Sequence, residues 1–80
     1  MSIVIVRSIV EGPRWARLEK AIRDYAWTFR LDCKTEVDKG WLRETVRFEI
    51  RGEQTKVDAF NLVLKTAIPD YNMPKAEPAP

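Results

Sequence analysis

The side chains that could perform covalent or acid–base chemistry are few in this chain of 80 residues. Histidine is absent, which removes the most common general base and the most common metal ligand. Ser2 and Ser8 have no base near them in the sequence. We therefore expect a protein that is not an enzyme, with no catalytic residue, no cofactor, no metal site and no small-molecule substrate.

Two further residues, Cys33 and Glu44, lie on predicted strands and face inward there. A lone cysteine in such a position packs as a small hydrophobic residue. An inward carboxylate could have a raised pKa and serve acid–base chemistry. The position of Glu44 near a predicted turn instead allows its carboxylate to reach water or Thr35, so both residues are interpreted as structural.

Basic residues on two segments could bind phosphate groups. Nucleic-acid binding requires a basic surface, preferably with aromatic side chains on which bases stack. A net charge of only +2 does not by itself indicate strong phosphate binding. Nucleic-acid binding is therefore the alternative function, and its candidate residues are Arg14, Arg17, Lys20 and Arg23 on the first helix and Arg43, Arg47 and Arg51 on the third strand.

The hydrophobic pattern predicts the element order β-α-β-β-α. Strands are indicated by β-branched residues or by alternation, and helices by apolar residues at a spacing of three and four. The predicted elements are a strand over residues 2–10, a helix over 11–27, strands over 28–38 and 41–51, and a helix over 52–69. Residues 1–68 are predicted to form one globular α+β domain. Residues 69–80 contain four prolines and are predicted to be an extended or disordered tail.

The two middle strands predict a β-hairpin with a two-residue turn at Lys39 and Gly40. This register places Cys33 opposite Val46 on the inner face. On the outer face it places opposite charges against each other, which weakens the case for an arginine surface that binds phosphate. The outer pairs are Arg30 with Glu49, Asp32 with Arg47 and Glu36 with Arg43.

The connection between the first two strands determines the topology. A right-handed crossover makes these strands parallel and leaves room for the third strand between them. We therefore predict a single α+β domain with a three-stranded antiparallel sheet in the order 1-3-2 and two helices on one face. In topology alone this arrangement resembles a ferredoxin-like fold lacking its last strand, and folds of that kind serve many functions.

The first strand is the best candidate for a functional site. Its valine side should face the helices, because burying Ser8 costs less free energy than burying Arg7. Ile3, Ile5 and Ile9 then lie on the open face of a strand whose outer edge has no partner. Such an edge can pair with another chain. The alternatives are that the C-terminal tail folds back over the edge, or that the opposite face is the open one.

We therefore predict a non-enzymatic protein-interaction module, such as a small adaptor, assembly subunit or inhibitor of the kind that phages and mobile elements carry. It is expected to bind a protein partner, or a second copy to form a homodimer, through the first-strand edge. The predicted protein-binding residues are Ile3, Ile5, Ile9 and Trp41, since tryptophan is a favoured interface anchor.

The expected location is the cytoplasm. A single cysteine excludes an intramolecular disulfide, which is typical of a reducing compartment. The apolar N-terminal segment is interrupted by Arg7 and does not have the pattern of a signal peptide. No run approaches the ~20 apolar residues that span a bilayer, so no membrane partner is expected.

Overall fold

The computed structural model of the chain describes residues 2–13 and 17–79. The fold is α+β, as predicted, and the described strands form one antiparallel sheet in the order β2-β3-β1-β4. The prediction of three strands is wrong, because a short fourth strand adds to the outer side of β1. In chain order the elements are β1 (Ile3–Pro13), α1 (Leu18–Thr28), β2 (Asp32–Lys39), β3 (Arg43–Glu53), α2 (Gln54–Ala67) and β4 (Glu77–Pro78).

β3 is the strand on which the core is built. It lies between β1 and β2 and alternates buried and more exposed side chains. Both helices cover its buried face, and the rings of Phe48 on β3 and Phe60 on α2 meet edge to face at 6.0 Å. Replacing such a buried aromatic side chain with alanine typically costs about 3–5 kcal/mol. The core residues with the least exposure are Val6, Ile22, Val46, Ile50, Val57, Phe60 and Leu64.

The turn of the β2–β3 hairpin lies two residues later than predicted. Lys39 pairs with Glu44, and the N–H of Gly40 donates to the carbonyl of Arg43 at 2.9 Å, so the chain reverses at Trp41 and Leu42. The predicted register is therefore wrong. Both registers keep the side chains of the observed strands β2 and β3 on the same faces, because the registers differ by an even number of residues. The outer pairs also remain opposite in charge, and they are Asp32 with Arg51, Lys34 with Glu49 and Glu36 with Arg47.

β1 pairs with β3 along its entire length of 11 residues, from Ile3 opposite Glu53 to Pro13 opposite Arg43. The prediction that the valine side faces the helices is confirmed, since the valines of this strand are buried and belong to the core cluster. Ile9 lies on the opposite face and is exposed. β1 therefore contributes to the core with one face only.

The segment after α2 returns along the sheet. Tyr71 is buried, and its hydroxyl donates a hydrogen bond of 2.9 Å to Oδ1 of Asn61. The amino group of Lys65 donates to the carbonyls of Pro69 at 2.6 Å and Tyr71 at 3.0 Å. The chain then reaches β1, where Glu77 and Pro78 form β4. These contacts hold the tail against the domain and place β4 at the sheet edge.

We expect Tyr71 to make the free energy of unfolding depend on alkaline pH. Burial raises the pKa of Tyr71 to about 12, and the nearby Ser8 side chain acts in the opposite direction. Folding therefore favours the neutral phenol, and this contribution is complete below the unfolded pKa of about 10. It is lost as the pH rises toward about 12.

The variant Tyr71→Phe tests this contribution, because it keeps the ring and removes the titrating group. At neutral pH we expect it to lower the free energy of unfolding by about 1–3 kcal/mol, since Asn61 loses its partner. Denaturant titrations at increasing pH should show this difference shrinking above pH of about 10. Parallel pH profiles for the two proteins would contradict the assignment.

Candidate functional site

The outer edge of β1 is paired with another strand along only part of its length. β4 pairs with Val4 and Ile5, and the N–H of Ala79 donates to the carbonyl of Ile3 at 3.0 Å. In an antiparallel ladder the N–H and C=O of one residue point to the same side, and successive residues alternate. Because the carbonyl of Ile3 points to the outer side, the backbone groups of the other odd-numbered residues of β1 point there as well.

Residues 7–11 of β1 form what we call the free edge. In the described part of the chain, no strand pairs with β1 on its outer side beyond Ile5. The N–H and C=O groups of Arg7, Ile9 and Glu11 therefore point outward without a strand partner there. A row of such groups is a template on which another strand can pair.

The side chains of the free edge form a short pattern on the open face of the sheet. Ile9 is 57% exposed and lies between a basic and an acidic residue. Nε of Arg7 lies 2.8 Å from Oε1 of Glu49, and the hydroxyl of Thr45 donates to Oε1 of Glu11 at 3.3 Å. The charged side chains are thus oriented by contacts with β3, and the apolar side chain between them faces solvent.

A groove of about 420 Å³ adjoins the free edge. One wall belongs to β1 and another to the segment that follows α2, so the groove runs beside the backbone groups that point outward. Side chains of a strand added to the edge can enter it. The groove is lined by Ile9, Val10, Glu11, Arg43, Ile68, Asp70, Tyr71 and Asn72.

The structure distributes the predicted protein-binding residues over different environments. Ile9 lies on the free edge, whereas Ile3 is 45% exposed beside β4. Ile5 is only 7% exposed and lies between Arg51 of β3 and Glu77 of β4. Ile5 is therefore the least accessible of these predicted docking residues, whereas Ile9 and Trp41 are exposed.

The hairpin tip carries two exposed apolar side chains. Trp41 is 86% exposed and Leu42 is 71% exposed. Sequence reasoning missed Leu42, because the predicted register turned it inward against Val37. Arg43, the next residue in the chain, lines the groove beside the free edge. The tip is therefore a second apolar surface near one end of that groove.

The basic residues proposed for nucleic-acid binding fall into two groups on opposite sides of the sheet. Those of α1 lie on the helix side, where Nζ of Lys20 is 2.8 Å from Asp24 and Nη1 of Arg23 is 3.6 Å from Glu19. Arg14 lies outside the described residues. The two groups do not form one surface, and their described members are Arg17, Lys20 and Arg23 on or next to α1 and Arg43, Arg47 and Arg51 on the open face of β3.

Cys33 and Glu44 are both shielded from solvent to some degree. Burial raises the pKa of the Cys33 thiol, an effect that nearby Arg23 opposes, so the reactive thiolate is disfavoured. Glu44 is 5% exposed and lies opposite Lys39 and Gly12, whereas Thr35 lies opposite Phe48, so the expected contact with Thr35 is not formed. No buried side-chain oxygen in the described residues lacks a hydrogen-bond partner, which agrees with a Glu44 carboxylate that reaches water. Among residues 2–13 and 17–79 there is no cluster of three or more His, Cys, Asp or Glu residues that could hold a metal ion.

No protein-family model, curated protein or solved structure matches this chain. Within the described residues, neither helix has the length and apolar character needed to cross a membrane. The interpretation of the free edge therefore depends on its own geometry.

We expect lysine substitutions at Ile9 and Ile5 to differ strongly in their effect on stability. Ile9→Lys places a charge on an exposed side chain, so the free energy of unfolding should change by no more than about 0.5 kcal/mol. Ile5→Lys buries a charge beside β4 and should lower it by more than about 2 kcal/mol. Denaturant titration measures both values, and equal effects would show that the two side chains share one environment.

Proposed function

We propose that the chain is a non-enzymatic protein-interaction module that binds an extended segment of a protein by adding it as a strand to the free edge. One observation above all supports this proposal. The outward N–H and C=O groups of Arg7, Ile9 and Glu11 have no strand partner in the described part of the chain, although β1 is fully paired with β3 on its other side. An added strand supplies the hydrogen bonds that these groups otherwise make with water.

Strand addition separates affinity from specificity in a simple way. The backbone hydrogen bonds supply affinity for any extended segment, and alternate side chains of that segment supply specificity. Side chains on the helix side of the added strand reach the groove beside Tyr71, whereas those on the open face contact Ile9. A preferred segment therefore has a side chain that fills the groove and an apolar one against Ile9.

The free edge is short, so its neighbours matter for stable binding. Specific interfaces bury about 1,200–2,000 Å² in total, which exceeds what a strand of a few residues contributes. Trp41 and Leu42 are exposed at the hairpin tip, and Arg43 continues from them into the groove wall. A partner that extends from the free edge across the groove to this tip gains apolar contact area. A module of this kind acts as an adaptor, an assembly subunit or an inhibitor.

A random-peptide library displayed on phage provides a probe that assumes no partner. Peptides selected on the wild-type chain are expected to bind the variant Ile9→Pro at least about tenfold more weakly. Proline removes an N–H that points away from β3, so the β1–β3 ladder keeps its hydrogen bonds. The control is Leu62→Lys, which changes an exposed apolar residue of α2 and should leave binding intact.

Two results would contradict this proposal. One is the recovery of no binding peptide from the library, and the other is equal binding of the selected peptides to wild type and Ile9→Pro. Thermal unfolding of both variants confirms that each retains the fold. Binding of single- or double-stranded DNA that falls steeply with salt and is unaffected by Ile9→Pro would support the nucleic-acid alternative instead.

A further inference from the structure

We propose that the free edge pairs with the free edge of a second copy of this chain, in an antiparallel register centred on Ile9. This inference depends on the proposed function and names the partner. It joins two sheets through their β1 strands. The two-fold axis passes between the strands, so each copy contributes the same surface.

The order of side chains on the free edge is complementary to itself. Along one face of β1 the side chains are basic, apolar and acidic in turn, at Arg7, Ile9 and Glu11. When two copies run antiparallel about Ile9, Arg7 of each copy comes opposite Glu11 of the other, and the two isoleucines come opposite each other. Directly opposed unlike charges stabilise an antiparallel pair, as do opposed β-branched side chains.

The hydrogen-bonding phase of β1 fits the same register. The N–H and C=O groups of Arg7, Ile9 and Glu11 all point to the outer side. Each of the three pairs is therefore of the hydrogen-bonded type, in which two residues exchange two bonds, giving about six bonds in all. The residues with outward backbone groups are also the ones whose side chains complement each other.

Both charged side chains retain groups for the contact between copies. Arg7 uses Nε to bond Glu49, and its side chain is 64% exposed. A guanidinium has five N–H donors, so the Nη groups remain to meet a second carboxylate. Glu11 accepts one hydrogen bond, from Thr45, which leaves its other oxygen for Arg7 of the second copy.

The ends of the free edge limit the pairing to a single short segment. Ile5 is already paired with Glu77 on one side, and Pro13 on the other side has no N–H to donate. Ile5 and Pro13 are equally distant from Ile9 in sequence, so in the proposed register Pro13 of one copy comes opposite Ile5 of the other. Glu77 already occupies that position, so the two β1 strands must diverge beyond residues 7 and 11, and the pairing is limited to that segment.

The opposite edge of the sheet does not offer the same opportunity. β2 exposes only charged side chains on its open face, which is a common protection against pairing with another strand. These residues are Asp32, Lys34, Glu36 and Asp38. A second copy on β1 therefore closes the assembly at two chains and leaves only protected edges.

Exchange of the two charges tests the register directly. Arg7→Glu alone and Glu11→Arg alone each place two pairs of like charges across the interface, so each homodimer should be weaker by about tenfold or more. An equimolar mixture of the two variants places only unlike charges across it and should form heterodimers. The double variant with both changes should again form homodimers. Sedimentation equilibrium measures association, and native mass spectrometry separates the heterodimer by its mass.

A disulfide at the centre of the interface provides a second test that does not depend on charge. Residues at a hydrogen-bonded antiparallel pair have Cα atoms about 5.5 Å apart, within the range that a disulfide spans. In a Cys33→Ala background, Ile9→Cys should form a covalent dimer under mild oxidation. Ile3→Cys in the same background is the matched control, because its side chain is exposed but outside the free edge, and it should remain monomeric.

The outcomes separate this inference from the proposed function. A wild-type chain that remains monomeric up to about 1 mM overturns self-pairing, whereas peptides that bind in an Ile9-dependent manner still support strand addition. The register is also overturned if each single charge variant forms homodimers as well as wild type does and the mixture of the two variants shows no preference for the heterodimer. A folding defect in either variant would persist in the mixture. Formation of heterodimers on mixing therefore reports on the charges across the interface and not on folding.

Discussion

The pairing of β1 with β3 over 11 residues is the interaction on which the rest of the structure depends. It places β3 at the centre of the sheet, where its buried face meets both helices. It also makes β1 much longer than β4, which has only two residues. The sheet therefore gains a stable interior and, at the same time, an edge with which the tail forms strand pairs at one end only.

The alternation of side chains along each strand explains why much of the fold could be predicted from the sequence. Alternation decides which side chains of a strand face the helices, and this holds for any register that differs by an even number of residues. Alternation does not distinguish the two possible turn positions of the hairpin. A turn at Lys39–Gly40 and a turn at Trp41–Leu42 both keep apolar residues inside and place unlike charges opposite each other. The glycine favoured the first position because it tolerates a positive φ, but Gly40 does not adopt a positive φ in the structure and pairs with Arg43 instead.

β4 and the burial of Ile5 could not be predicted from local patterns. A proline-rich segment has weak strand propensity, and its position depends on Tyr71, which packs beside Phe48 and bonds Asn61. Ile5 becomes buried because β4 arrives beside it. The exposed Ile9 was found from the strand pattern alone. The complementary order of Arg7 and Glu11 has meaning only once the outward direction of their backbone groups is known.

The free edge shows how an exposed strand can be restricted to particular partners. β4 blocks one end, Pro13 lacks a donor at the other, and charged side chains flank the central isoleucine. Each feature disfavours pairing in other registers, which is the usual protection of an edge against aggregation. The features that limit pairing are therefore also the ones that define the proposed interface.

Amide hydrogen exchange along β1, measured on the chain at high dilution, tests the central claim most directly. The account predicts slow exchange at Val6, Ser8 and Val10, whose N–H groups point to β3. It predicts fast exchange at Arg7, Ile9 and Glu11, and protection of these three amides as the chain concentration rises or a binding peptide is added. Slow exchange at all six amides in the dilute chain would contradict it, because the outer side of β1 would then already be occupied.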